Sequence, residues 1–323
     1  MGDGFALRDY LAERSPASAV VVGGGYIGLE MAEAMIHRGV LVTLVEYQPS
    51  ILTTVDPPLG ALVREELSDR GANVVTGVSV KSIERRGNQL LVAGSRGFQA
   101  EAELALVATG VRPNADLARA AGMETGQWGA IRVSRGMETN VPYVYAAGDC
   151  VETYHRLLQG SAYLPLGSTA HKQGRVAGEN AVGGQAVFVG TLGTQVVKVF
   201  DLVAARTGLR DIEAREADFD PLTTQLDTWD HKIYYPGARQ LHLRLTGDRR
   251  TGRLLGAQIV GHRTTEASKR VDVFAAALFN RMMVEELNDV DLSYTPPLST
   301  PWDAVQVAAQ AWVKAKEEGT LEV

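Results

Sequence analysis

The chain has 323 residues, 45% of them apolar and 22% charged, which suits about two domain cores and excludes disorder as a whole-chain state. Its 38 acidic and 32 basic residues leave a net charge of −6, a poor match for nucleic acid or an anionic membrane. One cysteine, Cys150, excludes a disulfide framework and a cysteine-based zinc site, and it fits a reducing cytoplasmic setting.

Residues 1–14 mix charged and apolar side chains and lack a signal-peptide core. A β-branched strand at 19–22 runs into Gly23-Gly24-Gly25-Tyr26-Ile27-Gly28. A helical pattern over 31–39 closes at Gly39, and a second apolar strand, 40–45, ends in Glu46. Strand, G-x-G-x-x-G, helix, strand, acid is the dinucleotide pattern in its required context. Gly23 permits the tight turn, Gly25 lets a pyrophosphate approach the backbone, and Gly28 lets helix and strand pack closely. The helix N-terminus offers unpaired N–H groups to phosphate. Glu46 can accept both ribose hydroxyls and would repel a 2′-phosphate. Tyr47 and Gln48 follow it rather than arginine, which favours NAD(H).

Further along, 57–70 reads as a helix with Leu59, Leu62, Val63, Glu66 and Leu67 at helical spacing, and 73–80 as a strand. The glycine-punctuated stretch 82–103 suits a small β-meander, and 104–108 is a buried strand running into Thr109-Gly110. A strand ending in Thr-Gly lets its backbone pass close to a cofactor. A further apolar strand within 139–150 ends in Gly148-Asp149, where the carboxylate can accept from a ribityl hydroxyl of a flavin. The longest uncharged run, 180–197, is rich in Gly, Gln and Thr and reads as loop and strand, not as a membrane helix. A helix opens at Leu166-Gly167-Ser168 and reads to about Ala181, with a face of small residues. From Thr191 the pattern turns to strands and then helices, an α+β arrangement. The apolar stretch 271–279 is expected at an interface. Thr300-Pro301-Trp302-Asp303 offers an N-cap, a proline and an acid for the last helix. No metal-ligand spacing occurs among the six histidines.

These motifs together resemble the pyridine nucleotide-disulfide oxidoreductases, within them the coenzyme A disulfide reductase, NADH oxidase and NADH peroxidase branch. The residues that carry the resemblance are 23–30, 108–114, 139–149 and 166–180, with 191–209, 234–237, 252–261 and 291–297 toward the C-terminus. The resemblance implies an α/β fold: a linker (1–15), a Rossmann-type NAD-binding domain (16–135), a segment of an FAD-binding domain (136–185) and an α+β dimerisation domain (186–323). NAD(H) would meet Gly23, Gly25, Tyr26, Ile27, Gly28, Glu30, Glu46 and Gly110. FAD would meet Thr109, Gly148, Asp149, Leu166, Gly167 and Ser168, with the helix N-terminus facing the flavin's pyrimidine edge. Tyr26 resembles a gate residue, or is a core aromatic. Tyr294 resembles a tyrosine that takes part in catalysis across a homodimer, or is an interface residue without chemistry.

Family members begin with a first glycine motif for the ADP half of FAD, then a redox cysteine. Neither is present here, and residues 2–10 resemble the linker that precedes the NAD domain. Cys150 reads as a small buried hydrophobe rather than a replacement thiol. The resemblance therefore implies an FAD-dependent NAD(P)H oxidoreductase that reduces a small-molecule disulfide, a polysulfide or oxygen. The competing reading is a truncated, non-catalytic dimeric module that binds NADH without flavin.

Overall fold

The computed structural model describes residues 2–321, which group into two compact units. The first comprises residues 1–110 with 197–204. It begins with helix α1 (Gly2–Arg14), where the sequence reads as a linker. Ala6, Leu7, Ala12 and Glu13 are good helix formers, Asp3 lies in the first turn and Arg14 in the last, so both ends suit the helix dipole. Strand β1 (Ser18–Val22), helix α2 (Tyr26–Ile36), strand β2 (Leu41–Glu46), helix α3 (Pro57–Asp69) and strand β3 (Asn73–Thr76) follow. Three antiparallel strands, β4 (Val80–Arg86), β5 (Gln89–Gly94) and β6 (Gln99–Ala102), form the expected meander before β7 (Leu104–Val107).

The main sheet is parallel with order β3-β2-β1-β7, the Rossmann arrangement. Val20 and Val21 of the inner strand β1 are almost fully buried, as a parallel strand covered on both faces requires. The meander shuts one side of this core, with Val78, Val92 and Ala102 packing on Val20, Val22 and Val45. The strand expected over 73–80 is two strands. Gly77 at φ +72 turns the chain after Thr76, while its N–H bonds Gln48 O (2.9 Å) and that of Val78 bonds Glu46 O (3.0 Å).

The second unit comprises 111–196 and 205–323. It contains α4 (Asp116–Ala120), the short pair β8 (Thr153–His155) and β9 (Gly160–Ala162), and the expected helix α5 (Gly167–Ala181). Beyond these come β10 (Gln195–Val199) and β11 (Leu202–Gly208), of which residues 197–199 and 202–204 group with the first unit, then α6 (Asp211–Glu216), β12 (Pro221–Trp229), β13 (Gln240–Asp248), β14 (Leu254–His262), α7 (Ala267–Phe279) and α8 (Ala304–Leu321). The sheet order is β10-β11-β14-β13-β12, with β12 to β14 an antiparallel meander. Helix α7 packs on β14, and α8 packs on β12 and β13. Trp312 of α8 is fully buried, donates to Leu222 O at 2.8 Å, and lies where a side chain at Gly247 would have to go.

Three local expectations change here. The apolar segment before Gly148 is not a strand, since it makes only isolated bridges. Pro142 cannot donate to a ladder. Tyr143 adopts φ 64, and the Thr139 hydroxyl bonds the carbonyls of Val141 and Val144, folding the segment into turns. The stretch 271–279 spends much of its apolar surface inside its own domain, because Val271, Phe274, Ala277 and Leu278 are buried where α7 meets the sheet. The last helix starts at Ala304 and its cap is Asp303, not Thr300. The Asp303 carboxylate accepts from Val305 N–H (3.0 Å) and Gln306 Oε1 accepts from Asp303 N–H (3.1 Å), a reciprocal capping pair. Asp303 is drawn inward by Arg270, whose buried guanidinium contacts both its oxygens (2.9–3.2 Å) and also donates to the carbonyls of Asp230 and Thr265.

Candidate functional site

The glycine turn sits between the C-terminal end of β1 and the start of α2. Gly23 takes φ +114, and a Cβ there would lie 2.3 Å from Ala108 O, so both the backbone angle and the approach of the chain beyond β7 demand glycine. At Gly28 a Cβ would lie 1.9 Å from Gly23 O, which is the close helix–strand packing expected of that position. Around Gly25 the space is open, with nothing within 4 Å of a built Cβ. Gly25 is the N-cap of α2, and no side chain caps the helix. The N–H groups of its first turn lie beside open space, at the positive end of the helix dipole. That is the chemistry of a pyrophosphate cradle.

Glu46 closes the far side. One carboxylate oxygen accepts from Gly24 N–H (2.6 Å) and the other from Gln48 N–H (2.7 Å), which holds the carboxylate at the turn. Each oxygen retains a lone pair for a ribose hydroxyl. Tyr26 is half-buried as the first residue of α2, and its hydroxyl accepts from Thr54 Oγ1 at 3.2 Å. Ile27 and Glu30 are exposed on the first turns of α2. Thr109 and Gly110 lie exposed past the end of β7, with Gly110 at φ +120.

Sequence reasoning missed Glu33, a carboxylate on the inner side of α2. It accepts from Phe200 N–H (2.9 Å) and from Lys198, and so fixes the helix to residues 197–204 of the same unit. Burial alone would raise its pKa, but Lys198 and the Phe200 N–H together hold it below the usual carboxylate value. The contact spans 165 residues or more, and its one local signal is an acid among apolar neighbours in the second half of the helix.

In the second unit the Gly148-Asp149 turn and the start of α5 come together. Gly148 has φ +92, and a Cβ there would stand 3.8 Å from Ala170 in the first turns of α5. Gln173, also missed from the sequence, joins the two. Its Oε1 accepts Gly148 N–H (3.1 Å) and its Nε2 donates to Thr153 Oγ1 (3.0 Å), all within a buried setting. Helix α5 begins at Gly167 after Leu166 with no side-chain cap, and Gly167 and Ser168 are exposed. Asp149 is exposed as well, and its carboxylate has no hydrogen bond among the described residues. The arrangement offers an anchored turn, a solvent-facing carboxylate and an uncapped helix N-terminus within one unit.

Cys150 does not join this chemistry. Its Sγ donates to Ala147 O (3.5 Å) and packs on the cluster of Ala115, Ala118, Ile131 and Val151. Burial and the nearby Asp149 push its thiol pKa up, so the thiolate is disfavoured. Tyr294 lies partly exposed on the loop before α8. Lys232 N–H bonds Pro296 O (3.4 Å), which brings the Tyr234-Tyr235 segment against this loop. Among the described residues no helix is long and apolar enough to cross a membrane.

Comparison with known proteins agrees with this geometry. Residues 6–174 match the model for pyridine nucleotide-disulphide oxidoreductases, and residues 194–305 match that family's dimerisation domain. The chain is 36% identical over 309 residues to an NAD(P)H sulfur oxidoreductase (CoA-dependent) of Pyrococcus abyssi, covering 95% of this chain and 68% of that protein. It is 30% identical to a coenzyme A disulfide reductase of Staphylococcus haemolyticus, covering 95% of this chain and 68% of the relative. Among solved structures it is similar to the reduced CoADR-RHD of Bacillus anthracis (TM-score 0.93, 32% identity, 98% of this chain). It is also similar to an NAD-dependent persulfide reductase from A. fulgidus (TM-score 0.92, 37% identity, 97% of this chain). The chain spans 57% of the length of each of those two structures.

Proposed function

The chain belongs to the pyridine nucleotide-disulphide oxidoreductase family, and from that premise we propose that it serves an FAD-dependent NAD(P)H oxidoreductase of the coenzyme A disulfide reductase type. A bound flavin supplies the hydride and electron-pair chemistry, taking reducing equivalents from NADH for a disulfide, a polysulfide or oxygen. The work of this chain is binding and orientation. The amides at the N-terminus of α2 hold the coenzyme's pyrophosphate in the space beside Gly25. Gly23 and Gly28 keep the turn tight, Glu46 takes the adenosine ribose hydroxyls, and Tyr26, Ile27, Glu30 and Gly110 surround the coenzyme beyond them. Within the second unit, Asp149 would accept from a ribityl hydroxyl, and Gly148 would leave the flavin access to the backbone. The first-turn amides of α5, at Gly167 and Ser168, would favour negative charge at the pyrimidine edge of that flavin, while Leu166, whose N–H is spent on Leu164 O (2.9 Å), leads the chain into the helix.

The acceptor range rests on relatives named as sulfur oxidoreductase, coenzyme A disulfide reductase and NADH oxidase. Homodimer formation is supported by the dimerisation-domain match and by exposed Ile233, Tyr234, Tyr235, Tyr294, Leu298 and Trp302 on two adjoining segments. In that dimer Tyr294 would act across the subunit interface.

The observation that carries the reading is the uncapped α2 N-terminus beside open space, with Glu46 anchored to the same turn. Calorimetric titration and the visible spectrum of the purified protein test it. NADH should bind more tightly than NADPH by about fivefold, since a carboxylate near a 2′-phosphate costs about 1 kcal/mol. Glu46→Ala should narrow that gap. A yellow protein reducing coenzyme A disulfide, polysulfide or oxygen with NADH supports the full reading. A colourless protein that still binds NADH reduces it to coenzyme binding, and failure to bind either coenzyme sinks it.

A further inference from the structure

Beyond Glu46 lies a cleft of about 430 Å³, lined by Tyr47, Gln48, Pro49, Thr76, Gly77 and Arg96. Arg96 is its only charged wall and comes from the turn between β5 and β6. It adopts φ 56, ψ 29, a left-handed conformation that costs a long L side chain energy and that the surroundings must impose. They do so with three hydrogen bonds: Ser95 N–H to Ser79 O (2.9 Å), Ser79 N–H to Ser95 Oγ (3.0 Å) and Phe98 N–H to Ser95 O (3.1 Å). The guanidinium is laid over Gly77, where a Cβ would sit 3.0 Å from Nη1 and 3.6 Å from Cζ. Gly77 is in turn bonded to Gln48 O, so the cation faces the two residues that follow the ribose-binding acid. Among the described residues the Arg96 guanidinium has no hydrogen bond or ion pair.

An exposed arginine on a backbone turn fixed by these bonds, with an unspent planar cation in a cleft of otherwise uncharged walls, is complementary to an anion. Glu46 faces the turn, because both its oxygens are drawn there by the N–H groups of Gly24 and Gln48. The cleft that begins at Tyr47 and Gln48, the residues after Glu46, has Arg96 as its one cation, and an anion attached to the ribose would find its counter-charge there. We propose that Arg96 is a specificity-determining residue at the adenosine end of the coenzyme site, binding the 2′-phosphate of NADPH and so offsetting the repulsion from Glu46. This rests on the reading of residues 23–28 and 46 as the coenzyme site. It narrows the NADH preference that Glu46 and the residues next to it set, so that the chain uses both coenzymes. The planar fork of arginine suits a phosphate better than a point charge does.

The test is titration of the purified chain with NADH, NADPH, 5′-AMP and adenosine 2′,5′-bisphosphate, none of which needs turnover. Arg96→Asn is the first variant, because asparagine tolerates the left-handed turn. It should weaken NADPH and the bisphosphate by about fivefold or more, the effect expected of one charge-assisted phosphate contact, and leave NADH and 5′-AMP within about twofold. Arg96→Lys should recover part of the loss. Equal weakening of all four ligands would assign Arg96 to the adenine face or to the turn, and unchanged affinity for all four would remove it from the site. Either result overturns the proposal while leaving the coenzyme site standing, as does a selective loss that lysine fails to reduce. A wild-type chain that binds neither coenzyme removes the underlying reading, and this proposal with it.

Discussion

Two uncapped helix N-termini, those of α2 and α5, are built in different ways. At α2 the backbone itself makes the site. A Cβ at Gly23 would run into Ala108 O, one at Gly28 would run into Gly23 O, and Glu46 is bonded back to Gly24. At α5 the adjoining Gly148 turn is held by side chains, Gln173 at Gly148 N–H and the Tyr163 hydroxyl at Asp149 O (3.0 Å), and the candidate carboxylate Asp149 reaches into solvent. The first arrangement is rigid because the backbone itself leaves no room beside Gly23 and Gly28. The second relies on a buried amide whose two hydrogen bonds must both form, since a half-satisfied buried polar group is costly.

The sharpest way to break this contrast is Gly28→Ala. The new methyl would stand 1.9 Å from a backbone carbonyl, so the turn or the helix must move. A loss of roughly 2–4 kcal/mol in stability is expected from such overpacking, together with loss of NADH binding by at least about tenfold. Denaturant titration and calorimetry check it. An alanine variant with normal affinity would show that the turn is soft, and the contrast with α5 would fail.

Acid should sharpen the comparison from the other side. His155, on β8 beside Thr153, is buried near Arg206, and burial with that charge lowers its pKa from 6.5 to about 4. Its folded value is depressed, so the unfolded chain takes up the proton first. The contribution is fully present above pH 6.5 and is lost as the pH falls toward 4, in total about 3 kcal/mol. Glu213 loses its contribution lower down. Burial would raise its pKa, but Arg206 and Arg210 hold it at about 2, so its window runs below 4.5. Urea unfolding between pH 7 and pH 4 should show the second unit weakening first. His155→Asn, which keeps an acceptor for Leu158 N–H, should flatten that slope. An unchanged slope would mean that His155 does not govern the transition.

The same difference explains what was legible in the sequence. The glycine turn, its flanking strands and Glu46 could be read directly, because glycine spacing and an acid at a strand end are local signals with local consequences. The meander and α5 were legible for the same reason. Residues 139–147 look like a strand by composition, yet Pro142 and the Thr139 hydroxyl bonds make turns of them. Thr300 looks like a cap, yet buried Arg270, 33 residues away, draws Asp303 into that role. Glu33, Gln173 and Arg96 were invisible because each is defined by contacts with distant segments: 165 residues or more for Glu33, 25 for Gln173 with Gly148, and the whole meander for Arg96 over Gly77.

The smallest expected effect falls at the residue that invites the largest claim. Cys150 follows Gly148-Asp149 and is the one thiol in the chain, so a redox role there would make the second site the chemical centre. Its surroundings argue otherwise. The sulfur packs on Ala115, Ala118, Ile131 and Val151, its hydrogen bond goes to a carbonyl, and burial beside Asp149 raises its pKa. A thiol that resists ionisation is a poor nucleophile, whereas a serine of similar size keeps the bond to Ala147 O and loses only part of the apolar contact. Cys150→Ser should therefore cost about 1 kcal/mol or less in stability and leave NADH affinity unchanged. Alkylation of the wild-type thiol at neutral pH should be slow until the chain is unfolded. Rapid modification in the folded state, or NADH-dependent reduction abolished by the serine, would transfer the chemistry to this turn and reverse the contrast between the two helix ends.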